Sequence, residues 1–291
     1  MSYVTVRGVP HYYEWIATSQ TPALDKPTLV FLHGWAGSAR YWRSTAEALK
    51  SEFNCLLYDL RGFGRSIPQE QPLPTQAITP ETAWDDYDLE SYAHDLATML
   101  SEFQLGPVYI NAHSTGASIA ALFLNRYPQL VKKAILTCNG IFKYDAVAFQ
   151  QFHRFGGYAV KFRPRWLSKI PGIDRMFMAR FLHQGIPAAE RVAFLEDFLI
   201  ASEAAALGTM FTAVSQKAAE VMPLEFAKLS VPTLLISGEF DQIIPSAMGR
   251  QAAELNPDSI EFCVIPRTGH FPMLEDASAY LHCIQRFLAV A

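Results

Sequence analysis

Gly106-Pro107-Val108-Tyr109-Ile110-Asn111-Ala112-His113-Ser114-Thr115-Gly116-Ala117-Ser118-Ile119-Ala120-Ala121-Leu122-Phe123-Leu124 is the stretch on which the reading of this chain turns. Gly106-Pro107 makes a turn, Val108 to Asn111 reads as a short buried strand, and Ser118 to Arg126 reads as a helix. Strand, sharp turn and helix therefore meet at Ser114. Small residues on either side let the backbone turn tightly enough to lift the serine hydroxyl above a sheet edge, as a nucleophile elbow requires. A small-x-Ser-x-Gly pentapeptide also arises by chance, so the weight lies in the strand before it and the helix after it.

Outward from this stretch, short apolar runs alternate with helical patterns. Tyr3 to Arg7 and Tyr12 to Ala17 predict an opening hairpin. Strands follow at Thr28 to Leu32, Cys55 to Tyr58, Lys133 to Leu136, Thr233 to Ser237 and Ile260 to Ile265. Helices fit at Tyr41 to Lys50, Leu89 to Phe103 with Asp88 as N-cap, Ser246 to Leu255 and Ala277 to Ala289. The Pro- and Gln-rich stretch Pro68 to Pro80 reads as a loop. The pattern predicts an α/β class fold, a mostly parallel sheet with helices on both faces.

The strand rhythm stops from about Ile141 to Met222 and resumes at Val231-Pro232-Thr233-Leu234-Leu235. Residues 1–140 and 223–291 are thus expected to form a sheet domain, and 141–222 an inserted helical cap, or lid. That insert holds ten of the twenty phenylalanines, and Phe149, Phe152, Phe155 and Tyr158 recur every three residues. Packing of the cap on the core is the favoured reading of this stripe, and the lining of an apolar pocket is the other. Arg154, Lys161, Arg163, Arg165, Lys169, Arg175 and Arg180 cluster in the same segment. A solvated face is the favoured reading of that cluster, and attraction of an anionic substrate or a membrane surface the alternative.

Four further motifs each follow a predicted strand: His33-Gly34-Trp35, Asp59-Leu60-Arg61-Gly62-Phe63-Gly64-Arg65-Ser66, Gly238-Glu239-Phe240-Asp241 and Thr268-Gly269-His270-Phe271-Pro272. Open α/β sheets hold ligands at the carboxyl ends of their strands. Together with Ser114, these motifs resemble the α/β-hydrolase superfamily with a helical cap, over essentially the whole chain and in that family's order of serine, acid and histidine. The resemblance implies Ser114 as nucleophile, His270 as the base that takes and returns its proton, and Asp241 as the carboxylate that orients the imidazole. It also implies the backbone N–H groups of Trp35 and Thr115 as oxyanion donors. Phe142, Phe149, Phe152, Phe155 and Phe271 are the candidates for substrate contact. Ala112 replaces the family's first elbow glycine. Asn139 stands where some relatives carry the acid, which leaves Asp241 favoured over Asp145 and Glu239.

His113 and His33 are expected to support the elbow and the oxyanion loop, and His153 and His183 lie in the cap within possible reach of substrate. Gly62-Phe63-Gly64 lacks the third glycine of a dinucleotide fingerprint, since Ile67 stands there, so no nucleotide cofactor is expected. His, Cys, Asp and Glu show no metal-ligand spacing. Cys55, Cys138, Cys263 and Cys283 read as buried reduced thiols.

A net charge of −4 argues against nucleic acid, and from these residues neither a signal peptide nor a membrane-spanning run is expected. The expectation is a cytoplasmic monomer or homodimer acting on a small apolar molecule. An acyl-enzyme carboxylic ester hydrolase for a small or medium apolar substrate is favoured. Carbon-carbon bond hydrolysis, lactonase, thioesterase and cofactor-free perhydrolase chemistry remain open on the same residues. So does a small-molecule-binding protein on a hydrolase scaffold.

Overall fold

The computed structural model describes residues 2–19, 22–23, 25–67 and 85–289. The expected loop at Pro68 to Pro80 lies outside them. Strands β1 (Ser2–Val6), β2 (Val9–Ile16), β3 (Thr28–Leu32), β4 (Asn54–Tyr58), β5 (Val108–His113), β6 (Val131–Thr137), β7 (Thr233–Gly238) and β8 (Ile260–Ile265) form one sheet in the order β1-β2-β4-β3-β5-β6-β7-β8. β1 pairs with β2, and β2 with β4, in antiparallel fashion, and every other pairing is parallel. The β1–β2 hairpin closes on Arg7-Gly8, both at positive φ (47° and 81°). That conformation matches a two-residue turn to the strands' right-handed twist.

Helices are α1 (Arg43–Leu49), α2 (Leu89–Glu102), α3 (Thr115–Arg126), α4 (Ala146–Lys161), α5 (Ile173–Met178), α6 (Ala188–Ile200), α7 (Glu203–Ala213), α8 (Gln216–Lys228), α9 (Ser246–Glu254), α10 (Pro272–Glu275) and α11 (Ala277–Leu288). Asp88 caps α2 as expected, its Oδ1 accepting from Ser91 N at 2.7 Å. From β6 to β7 the chain holds α4 to α8 and no strand among the described residues.

Strand residues alternate between two apolar layers. Val30, Leu32, Leu56, Tyr58, Ile110 and Leu136 face a core shared with α2, α3, α8 and α9, whereas Leu29, Phe31, Leu57, Tyr109, Ile135 and Ile236 face one shared with α1 and α11. A sheet covered on both sides needs apolar residues at successive positions, which is why Leu29 to Leu32 and Cys55 to Tyr58 in its interior read as near-continuous runs. Each fully buried Leu, Ile or Phe contributes roughly 1.5–3 kcal/mol to folding. Because β3 to β8 run parallel, the residues following them gather along one edge of the sheet. The four cysteines are free thiols, and Cys263 on β8 meets Cys283 on α11 with their sulfurs 2.7 Å apart.

Candidate active site

At the end of β5, Ser114 has φ 54° and ψ −122°, a conformation that costs a non-glycine residue about 1–3 kcal/mol. Neighbouring groups hold it there. Ser114 N donates to the Thr137 carbonyl at 2.8 Å, and the Ser114 carbonyl accepts from Ala117 N at 2.9 Å and from Asn139 Nδ2 at 2.9 Å. A Cβ at Gly116 would lie 2.4 Å from the His33 carbonyl oxygen, so this glycine lets the start of α3 press against the turn after β3. That contact brings the His33-Gly34-Trp35 turn beside Ser114.

The turns after β7 and β8 bring the other two residues to the serine. Ser114 Oγ lies 3.0 Å from His270 Nε2, and His270 Nδ1 lies 2.7 Å from Asp241 Oδ2. The second Asp241 oxygen accepts from Ile243 N (2.8 Å) and Ile244 N (3.0 Å), which fixes the carboxylate. Gly238 makes the approach of the two turns possible, since a Cβ there would fall 1.9 Å from the Gly269 carbonyl oxygen. His270 and Asp241 are buried, and Ser114 is half-buried. With Asp241 accepting from Nδ1–H, His270 Nε2 is left free to take the serine proton.

A second hydrogen-bonded chain lies behind the first. Gly34 N donates to the Tyr41 hydroxyl at 2.5 Å, that hydroxyl donates to His113 Nδ1 at 2.9 Å, and His113 Nε2–H donates to the His270 carbonyl at 2.7 Å. Burial, reinforced by the neighbouring His270, holds the His113 pKa well below the usual histidine range, so the ring is neutral and suits this donor pattern. His33 is also neutral through burial; its Nδ1–H donates to the Gly34 carbonyl at 2.8 Å and its Nε2 accepts from Leu60 N at 2.8 Å. The Asp59 carboxylate accepts from Ala39 N and grips Arg65 through two contacts at 2.7 and 2.9 Å, which makes the glycine-bearing turn a structural brace.

The α4 to α8 segment reaches this site at several points. His270 N donates to the Phe181 carbonyl at 2.7 Å, and Glu275 accepts from Gly269 N, Phe271 N, His183 N and Gln184 N. Trp35 Nε1 donates to the Ala206 carbonyl at 2.9 Å. On α6, buried Asp197 accepts from Ser38 Oγ at 2.5 Å and lies 3.5 Å from Arg40 Nε. Burial pushes the Asp197 carboxyl up to about 7.

Other sequence candidates fall elsewhere. Phe152 and Phe155 are 47% and 69% exposed on the outer side of α4, so they wall no enclosed pocket. Each three-residue step turns an α-helix by about 300°, so the four rings of the stripe fan across half of its circumference instead of sharing a face. The expectation that the stripe packs on the core fails for the same reason: Phe149 turns inward beside Phe142 and Tyr144, while Tyr158 is 62% exposed. Phe271 is buried in the core against His113, His270, Tyr41 and Phe194. The aromatic set that does join Trp35 to His270 is Phe198, Phe177 and Phe181: Trp35 lies 5.8 Å from Phe198, Phe198 4.9 Å from Phe177, Phe177 6.0 Å from Phe181, and Phe181 6.1 Å from His270. The i, i+4 pair Phe194/Phe198 on α6 is the sequence clue to that face, whereas Phe181 lies beyond the end of α5.

Asp145 caps α4, and Glu239 accepts from Arg267 N; neither is bonded to a histidine. His153 donates to the Val214 carbonyl within the α4 to α8 segment, and His183 stacks on exposed Phe240. His113, Cys138 and His270 bring potential ligand atoms within 4.8 Å of one another, but the histidine nitrogens there already serve Tyr41, the His270 carbonyl, Asp241 and Ser114. A cation would have to break those bonds.

Comparison with known proteins bears on the fold. The chain is 24% identical over 267 residues to the uncharacterized hydrolase YugF of Bacillus subtilis, covering 91% of this chain and 89% of that one. It superposes on an esterase from Exiguobacterium antarcticum with a TM-score of 0.78 at 18% identity, covering 99% of both chains. A bromoperoxidase from Bacillus anthracis gives the same TM-score at 20% identity, covering 99% of this chain and 100% of that one. At such identities the superpositions speak for the fold. Residues 27–277 match the family model for the alpha/beta hydrolase fold, and the chain belongs to that family.

Proposed function

We propose that the protein is a serine hydrolase working through an acyl-enzyme, and that its substrate is a carboxylic ester with a small or medium apolar acyl group. The observation that carries this reading is the relay from Ser114 Oγ through His270 to Asp241, at 3.0 and 2.7 Å, on a serine held in the elbow conformation.

His270 takes the Ser114 proton as Oγ attacks the ester carbonyl, and Asp241 stabilises the imidazolium that forms. The backbone N–H groups of Thr115, at the start of α3, and Trp35, in the abutting turn, stabilise the oxyanion; one such donor is worth about 10²–10³ in rate. His270 then protonates the departing alkoxide, and water hydrolyses the acyl-Ser114 ester by the reverse proton path. The Phe177, Phe181 and Phe198 rings, together with Trp35, supply the apolar surface for the acyl group. Residues 141–222 act as the cap over the site in this reading.

A fluorophosphonate probe tests the chemistry. Wild-type protein is expected to be labelled at Ser114, Ser114→Ala to take up none, and both Ser114→Ala and His270→Ala to lose roughly 10⁴-fold or more of ester turnover while keeping the native circular dichroism. Folded wild-type protein that resists the probe, or either variant with full turnover, overturns the reading. A panel of esters graded in acyl length then measures the pocket.

A further inference from the structure

We propose that the outer face of the segment from Tyr144 to Met176 docks the protein on an anionic phospholipid bilayer. The apolar surface is concentrated there. Of the fifteen large hydrophobic side chains exposed among the described residues, nine fall in this segment, among them Val147, Phe155, Tyr158, Phe162, Trp166 and Met176. On α4, Phe149, His153, Gly156 and Val160 form the inward face: His153 bonds the Val214 carbonyl, Gly156 abuts Met210, and Val160 is buried. Val147, Phe155 and Tyr158 stand on the other face, with Phe162 just beyond the helix, all four more than 60% exposed. The fold uses one apolar face of this helix and leaves the second to solvent.

Charge selects the occupant. Residues 143–180 carry eight Lys and Arg against Asp145 and Asp174, in a chain whose net charge is −4, so the remainder of the molecule is strongly acidic. Asp174 is held by Arg191 at 2.8 Å, and Arg154, Lys161, Arg165, Lys169, Arg175 and Arg180 are exposed around the aromatic side chains. Aromatic and aliphatic groups interspersed with cations fit the headgroup and upper acyl region of an anionic membrane. The acidic remainder of the chain is repelled from the same surface, which orients the cap segment toward the lipid. A second copy placed face to face would set one cationic cluster against another. No helix among the described residues is long and apolar enough to cross a membrane, so the contact is peripheral. This docking does not depend on the hydrolytic reading of Ser114.

Co-sedimentation with vesicles tests it, using full-length protein carrying Ser114→Ala so that lipid turnover cannot interfere. Binding is expected to vesicles of mixed phosphatidylglycerol and phosphatidylcholine, to exceed binding to phosphatidylcholine alone by at least tenfold, and to weaken as salt is raised. Removing three cations by Arg154→Gln, Lys161→Gln and Arg165→Gln should lower the partition coefficient on the order of 100-fold. Phe155→Ser with Tyr158→Ser and Phe162→Ser should abolish binding without lowering the melting temperature. Equal binding to both vesicle types, unaltered binding by either triple variant, or absence of binding overturns the proposal. So does a dimer in size-exclusion chromatography that the aromatic variant disperses, because the face then belongs to a second copy.

Discussion

At the scale of single residues, the site depends on groups that do no chemistry themselves. Ser114 sits in a costly backbone conformation because Thr137, Asn139 and the first turn of α3 satisfy its peptide groups. The Asn139 amide braces this turn by donating to the Ser114 carbonyl and to Ser118 Oγ. Tyr41 has the widest reach, since its hydroxyl connects the His33-Gly34-Trp35 turn to His113 and, through it, to His270. Tyr41→Phe leaves the Gly34 N–H and His113 Nδ1 unpaired in a dry interior. The variant is expected to lose about 1–3 kcal/mol in urea unfolding. On the proposed mechanism its kcat should fall on the order of ten- to a hundredfold with KM little changed, because in that mechanism the displaced groups position reacting atoms. Steady-state kinetics on a soluble ester reads that division. The sequence pointed to His113 as support for the elbow but not to its partners: Tyr41 and His113 are 72 positions apart and His113 and His270 are 157, and an isolated tyrosine in a helical pattern carries no mark of its partner.

At the scale of elements, the strands were legible and the surface of the α4 to α8 segment was not. Thr28–Leu32 has the expected bounds because a strand buried on both sides is written as a bounded apolar run, and the edge strand Ile260–Ile265 has them too although Glu261 within it is exposed. The helices of the 141–222 segment were expected as a group, but which face each one turns inward depends on neighbours that periodicity does not name. Helix α6 illustrates the consequence. Its Asp197 ties the segment to the Ser38–Arg40 turn, and burial raises the carboxyl from about 3.8 to about 7. Ser38 and Arg40 lower that value, as does Arg65, while Asp59 raises it, and exposed Glu196 shares Arg40. The folded state thus binds a proton more tightly than the unfolded chain does. Stability from this group is therefore full below about pH 4 and is lost as pH rises toward and through 7, by an amount on the order of 4 kcal/mol. Asp197→Asn removes the titration. Thermal melts at pH 5 and pH 8 should show a larger drop for wild type than for the variant, and parallel drops would contradict the assignment.

At the scale of the whole molecule, two apolar layers flank one sheet, and the site lies on the edge where the parallel strands end. Stability and chemistry are therefore separable. Ile135 is fully buried in β6, facing the layer with α11, and Ile135→Ala is expected to cost about 2–5 kcal/mol in denaturant unfolding. Turnover per folded molecule at low temperature should stay close to wild type, since no bond of the Ser114 relay passes through that side chain. By itself the sequence determined the alternation of strands and helices, the gap at 141–222, and the order in which Ser114, Asp241 and His270 follow their strands. Those features are local, because periodicity and turn chemistry act over a few residues. Tertiary structure alone decided the 3.0 and 2.7 Å contacts of the relay, the brace through Tyr41 and His113, and the inward choice of Phe177, Phe181 and Phe198 over Phe152 and Phe155. It also left Phe155, Tyr158 and Phe162 outside. The reason is physical: an apolar side chain is equally ready to be buried by its own fold or by something else, and only the packing of distant segments determines which.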